Sequence, residues 1–195
     1  MPYAATVSGS ATTNTFAYMF IGAKHMLEQA EENEIGRLYN IVSCLTYCAF
    51  TLEAYFNHFG KLQNDDWDNI ERRYSKLKKY KKFCSDLNLS IDFKKSPYSS
   101  LIEIFAYRDQ MAHGKSTIEF ITKEVELEIE EPNKFRAGAG WQEYATVDNA
   151  KKAIEHTSQI IIELHNAAGY GDKPFNKLGS GLYGLSINRN ITSGS

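Results

Sequence analysis

The sequence lacks an excess of charge of either sign, is poor in cysteine, and has no apolar run long enough to cross a membrane. Lysine and arginine total 22 against 24 aspartate and glutamate, a formal net charge of −2. So balanced a chain has no long-range field to draw it to nucleic acid or an anionic lipid surface, and any such contact must rest on a local patch. The most apolar stretch, Ile41 to Phe56, is interrupted by Thr46, Thr51 and Glu53. It falls short of the roughly 20 residues that a spanning helix needs. Met1 to Thr15 is small and polar, without the basic end and apolar run of a secretory leader. These absences predict a soluble, cytoplasmic protein with no membrane partner.

The cysteines are Cys44, Cys48 and Cys84. The first two lie one helical turn apart, but no second close pair of Cys or His completes a metal site. Buried free thiols, with no metal and no cofactor, are the expectation. There is no P-loop, no G-x-S-x-G, no H-E-x-x-H and no internal repeat. Gly179, Gly181 and Gly184 satisfy G-x-G-x-x-G in letters only. A dinucleotide site needs a strand before the glycines, a helix after them and an acidic residue about 20 positions on, whereas 11 residues follow Gly184. Asn190-Ile191-Thr192 is a glycosylation sequon without a secretory context. His25, His58, His156 and His165 are scattered, and each is assigned a structural or surface role.

What is present is ordinary globular material. The chain of 195 residues is 43% hydrophobic and 24% charged, with 12 Tyr and 11 Phe, enough for one core and one domain with embellishments. Asn14 or Thr15 starts a first helix carrying Phe16, Met19, Phe20, Ala23 and Leu27 and ending near Glu32 or Asn33. A second, from about Ile35 to Phe59, has a broad apolar stripe and should be the most buried. A third is expected over about 66–87, with Trp67, Ile70, Tyr74, Leu77, Cys84 and Leu87 inward. Its other side is basic, through Arg72, Arg73, Lys76 and Lys79 among others. That face is either solvated or contacts RNA.

A fourth helix is expected from Pro97, with Ser96 as cap and Leu101, Ile104 and Phe105 buried, stopped at Gly114 by a left-handed cap. From Thr117 the period becomes two residues, predicting a hairpin with strands near 117–122 and 124–130 and an acidic outer face. Trp141 to Ala145 adds a short strand, and Asp148 caps a last helix of about 149–168. Residues 1–13 are expected to be flexible, and 169–195 to form a glycine-rich tail that packs loosely or contacts a partner.

Chemistry concentrates at the end of the fourth helix, Arg108-Asp109-Gln110-Met111-Ala112-His113-Gly114. Arg108 grips a phosphate in a bidentate fork, and an imidazole exchanges protons near neutral pH. Arg108 follows Phe105 by three positions and Ile104 by four, so it sits over the apolar face. Glu53, with Asn57 one turn later, borders the stripe of the second helix. Glu53 is either an exposed or pairing carboxylate or an inward group holding a cation, for which Arg108 is the obvious candidate.

A helical domain with a long apolar second helix and a later helix ending in Arg, a polar residue, then His resembles the HEPN superfamily. Arg108, Asp109 and His113 fit its R-x4-6-H motif, and Leu45 to Phe59 is similar to the long helix of several branches. The resemblance covers roughly residues 14–168. It implies a mainly α, HEPN-like bundle of about five helices, with the small β-hairpin of about 117–130 inserted before the last helix. It also implies a metal-independent endoribonuclease of toxin or phage-defence type, with Arg108 and His113 of two copies forming one site in a homodimer. Asp109 would orient the imidazole or anchor the partner's arginine, or else be a surface residue. Some members are non-catalytic, so the alternative is a helical interaction module, for instance the partner of an antitoxin protein in a two-gene toxin system.

Overall fold

The structure, a computed structural model, describes residues 5–116, 118–120, 122, 124 and 138–187. The apolar stripes decide its architecture. Helix α1 (Thr15–Glu32) leads into α2 (Arg37–Gln63), the longest element. On α2, Ile41, Cys44, Leu45, Cys48, Ala49, Leu52, Tyr55, Phe56 and Phe59 are all buried. Spacings of three and four give a stripe wide enough to be covered from several sides, and each fully buried Leu or Phe contributes about 1.5–3 kcal/mol. The cover comes from α1, from α4 (Lys76–Asp86) and α5 (Tyr98–His113), and from α7 (Val147–Ala167). None of the four prolines lies within these helices, so no backbone donor is missing from their interiors. The result is the expected mainly α bundle with a small antiparallel pair of strands, although those strands lie elsewhere in the chain.

The expected hairpin at 117–130 lies mostly outside the described residues, and Ile118 to Phe120, Thr122 and Glu124 are not in strands. The antiparallel pair that is described joins the two ends of the chain: β1 (Ala5–Thr13) pairs with β2 (Gly179–Ile187), Val7 opposite Leu185. Within the expected flexible start and glycine-rich tail, Ala5–Thr13 and Gly179–Ile187 thus form an exposed two-stranded ribbon. β1 carries Thr6, Val7, Thr12 and Thr13, but β2 is interrupted by Gly179, Gly181 and Gly184, which weaken a strand on its own; the two segments pair along their whole length.

Other differences have local causes. The third helix is not continuous. Helix α3 (Trp67–Ile70) passes into a 3-10 turn, Glu71–Arg73, and the chain then extends through Tyr74 (φ −115°, ψ 125°) and Ser75 (φ −68°, ψ 162°) before α4 begins. The break lets Trp67 lie on Gly60, where a Cβ would stand 2.1 Å from the indole, while Tyr74 stacks beside Trp67 at 6.3 Å. Trp141 to Ala145 is mainly helical, in α6 (Gly140–Tyr144), and not a strand. Its Ala139 N–H donates to Gln142 Oε1 at 2.8 Å, a local bond that a strand would not offer. The cap of α7 is Thr146, whose Oγ1 accepts from the Asn149 N–H at 3.2 Å, and Asp148 sits in the first turn.

Ser96 does not cap α5. Its hydroxyl meets His156 Nε2 at 2.9 Å, while the Ser100 hydroxyl meets Nδ1 at 2.6 Å. The ring of His156 thereby ties the start of α5 to α7. Gly114 ends α5 in extended backbone (φ −56°, ψ 136°), not in a left-handed cap. Glycine is still needed there, because a Cβ would lie 2.4 Å from the Gln110 carbonyl oxygen.

Candidate functional site

Burial of Leu101, Ile104 and Phe105 against α2 turns the next residue of that face, Arg108, toward Glu53. Arg108 Nε lies 3.2 Å from Glu53 Oε1, and Nη1 lies 3.0 Å from Asp109 Oδ1. The guanidinium also rests 5.7 Å from the centre of the Phe50 ring. Glu53 is therefore the inward, cation-holding carboxylate. The contact with Glu53 is close but off the hydrogen-bonding angle, so Nε and Oε1 are buried as an ion pair without an aligned bond.

A second cation joins from α4. Lys76 Nζ lies 3.5 Å from Glu53 Oε1, hydrogen bonds to Asp109 Oδ1 and stands 5.3 Å from the centre of the Phe105 ring. Two carboxylates and two cations thus alternate, and the cluster is neutral in sum. The Lys76 hydrogen bond, then the charges of Lys76 and Arg108, hold the Asp109 carboxyl below its ordinary value. Beside the cluster, Lys79 bonds to Asn57 Oδ1, lies 3.5 Å from Glu71 Oε2 and sits over Trp67.

The residues expected to meet RNA therefore divide. Lys76 and Lys79 are half-buried in ion pairs, whereas Arg72 and Arg73 are exposed on the 3-10 turn. Lys76 as a second clamp on Glu53 was not foreseen, because a lysine in a basic run gives no sign of which one turns toward another helix.

His113 is the last residue of α5 and exposed. Five residues of α-helix turn it roughly 140° from Arg108, onto the outer face that also carries exposed Ile102 and Ala106. Among the described residues it makes no hydrogen bond or ion pair. A cleft beside this helix end is lined by Gln110, Met111, Lys115 and Trp141 among others. One copy of the chain presents a held arginine and an outward imidazole that do not aim at the same point.

Among the described residues, no group of three His, Cys, Asp or Glu could hold a metal ion, and no helix is long and apolar enough to cross a membrane. Cys44, Cys48 and Cys84 are buried and free. A hydrogen bond with Cys44 and burial push the Cys48 thiol well up, and burial pushes Cys84 up to about 11, so both are thiols and not nucleophilic thiolates. No protein-family model matches this sequence, and no curated protein or solved structure matches it either.

Proposed function

We propose that the chain is a metal-independent endoribonuclease of HEPN type, acting in the cytoplasm as a toxin or phage-defence effector. Two copies would form a homodimer whose site takes Arg108 and His113 from each. One observation carries this: at the end of a single helix, Arg108 is held by Glu53 and Asp109 with its side chain still 22% exposed, and His113 is exposed on the outward face.

RNA cleavage by the adjacent 2′-hydroxyl forms a bond from that oxygen to phosphorus and breaks the bond to the 5′-oxygen. One group must take the 2′ proton, another must protonate the leaving 5′-oxygen, and a cation must steady the phosphorane. One imidazole cannot easily serve both proton roles in a single step. A two-fold contact brings each patch against its twin and supplies two imidazoles and two guanidinium groups. Arg108 would bind the phosphorane oxygens and His113 would move the protons. Glu53, Lys76 and Asp109 are positioning residues, fixing the guanidinium before RNA arrives, and Arg72 and Arg73 would hold the backbone nearby.

The test is incubation of purified protein with transfer RNA and structured RNA in the presence of a chelator. Cleavage is expected, falling by about a hundredfold or more in His113→Ala and in Arg108→Lys, which keeps the charge but loses the fork, with circular dichroism unchanged. Intact RNA with the wild-type protein would overturn the proposal. The second reading, a non-catalytic helical interaction module paired with an antitoxin protein, is favoured by the ion pair that engages Arg108. It predicts that His113→Ala leaves growth arrest on expression unchanged.

A further inference from the structure

On another side of α2, at the root of the ribbon, lies a pocket of about 380 Å³. His58 reaches it from α2, His165 from α7, and Lys173 and Lys177 from the segment leading into β2; Phe16 of α1 forms an aromatic wall. The Phe16 and His58 rings lie 5.0 Å apart. No carboxylate lines the pocket among the described residues, and neither lysine has an ion-pair partner among them. Four groups able to carry positive charge therefore converge on one concavity whose lining holds no counter-charge among the described residues, an arrangement suited to an anion.

Tyr55 Oη meets His165 Nδ1 at 3.1 Å. Burial keeps Tyr55 a neutral phenol. In the tautomer where that phenol donates to Nδ1, Nε2 of His165 carries its N–H as a donor, and nothing else among the described residues engages it.

We infer that this pocket binds a phosphate group, either free or carried by a small organic molecule, through Lys173, Lys177, His58 and His165. The inference does not rest on the ribonuclease proposal, because neither Arg108 nor His113 lines the pocket. The groups facing the two imidazoles are each other, Tyr55 on α2, Lys173 and Lys177 in the link, and Tyr170 beyond α7, whose ring lies 5.4 Å from that of His165. Asn14, which precedes α1, and Phe16 of α1 do not titrate. Burial and the facing His165 pull His58 below its ordinary value, and burial does the same to His165. A bound anion reverses that bias, so binding draws protons into the pocket and is tighter at about pH 6 than at about pH 8.

Titration calorimetry of the whole protein tests this with inorganic phosphate and, separately, adenosine 5′-monophosphate, each in buffers of different ionisation enthalpy. Saturable binding with net proton uptake is expected. It should weaken by roughly tenfold or more in Lys173→Gln and again in Lys177→Gln, with proton uptake reduced in His58→Gln. Tighter binding of the nucleotide assigns an organic ester, and equal or tighter binding of phosphate assigns the free anion. Absence of saturable binding with both probes, or binding unchanged in the double lysine variant, overturns the inference; lysine-dependent binding without proton uptake overturns the part given to the histidines.

Discussion

Glu53→Gln keeps the size of the side chain and removes the charge that Arg108 Nε meets at 3.2 Å and Lys76 Nζ at 3.5 Å. With an effective dielectric of about 20, each contact is worth roughly 5 kcal/mol of attraction before desolvation. The side chains of Glu53, Arg108 and Lys76 are 26%, 22% and 27% exposed, so each has lost much of its hydration and most of that attraction is offset. Removing one partner costs about 3–5 kcal/mol in a fully buried pair and under about 1 kcal/mol at the surface. This intermediate site should lose about 2 kcal/mol, or about 4–8 °C in Tm for a chain of this length. Urea unfolding of Glu53→Gln, Arg108→Gln, Lys76→Met and the paired double variants reads the coupling directly. About 1 kcal/mol is expected for Glu53 with each cation. If Glu53→Gln were as stable as wild type, or both couplings vanished, the cluster would not be what holds Arg108.

Two further outcomes bear on the core and the pocket. Gly60→Ala should destabilise by about 1–3 kcal/mol through overpacking, despite alanine's better helix propensity, because the new Cβ would meet the Trp67 ring at 2.1 Å; an unchanged urea midpoint would contradict that packing. His58, whose folded value lies below its ordinary 6.5, stays neutral in the fold while the unfolded chain takes up a proton. Its contribution is therefore intact above about pH 6.5 and is lost as the pH falls from there through the lower folded value. His58→Gln should flatten the stability profile across that window. An identical profile would show that the imidazole gains its proton as readily folded as unfolded.

Local periodicity made much of the bundle legible. The stripes on α1, α2, α5 and α7 repeat within one or two turns, so burial selects the helix and its inner face with little help from distant residues. The same logic placed Arg108 over the apolar face and made Glu53 a candidate partner. Caps and breaks were less legible because alternatives lie one or two residues apart. Thr146 competes with Asp148 as the cap of α7, and Tyr74 fits a continuous helical stripe although it is extended beside Trp67.

The sequence alone thus determined where α1, α2, α5 and α7 run to within a few residues, which helix is central, and that Arg108 and His113 close one of them. Tertiary structure decided which charges meet. Lys76 bonds to Asp109 across 33 residues because α4 begins only after the chain has broken at Tyr74. His165 reaches Tyr55 across 110 residues because α7 lies along α2. The two ends of the chain form a ribbon only by finding each other. Such contacts depend on how helices cross and where loops return them, information that no short window of residues contains.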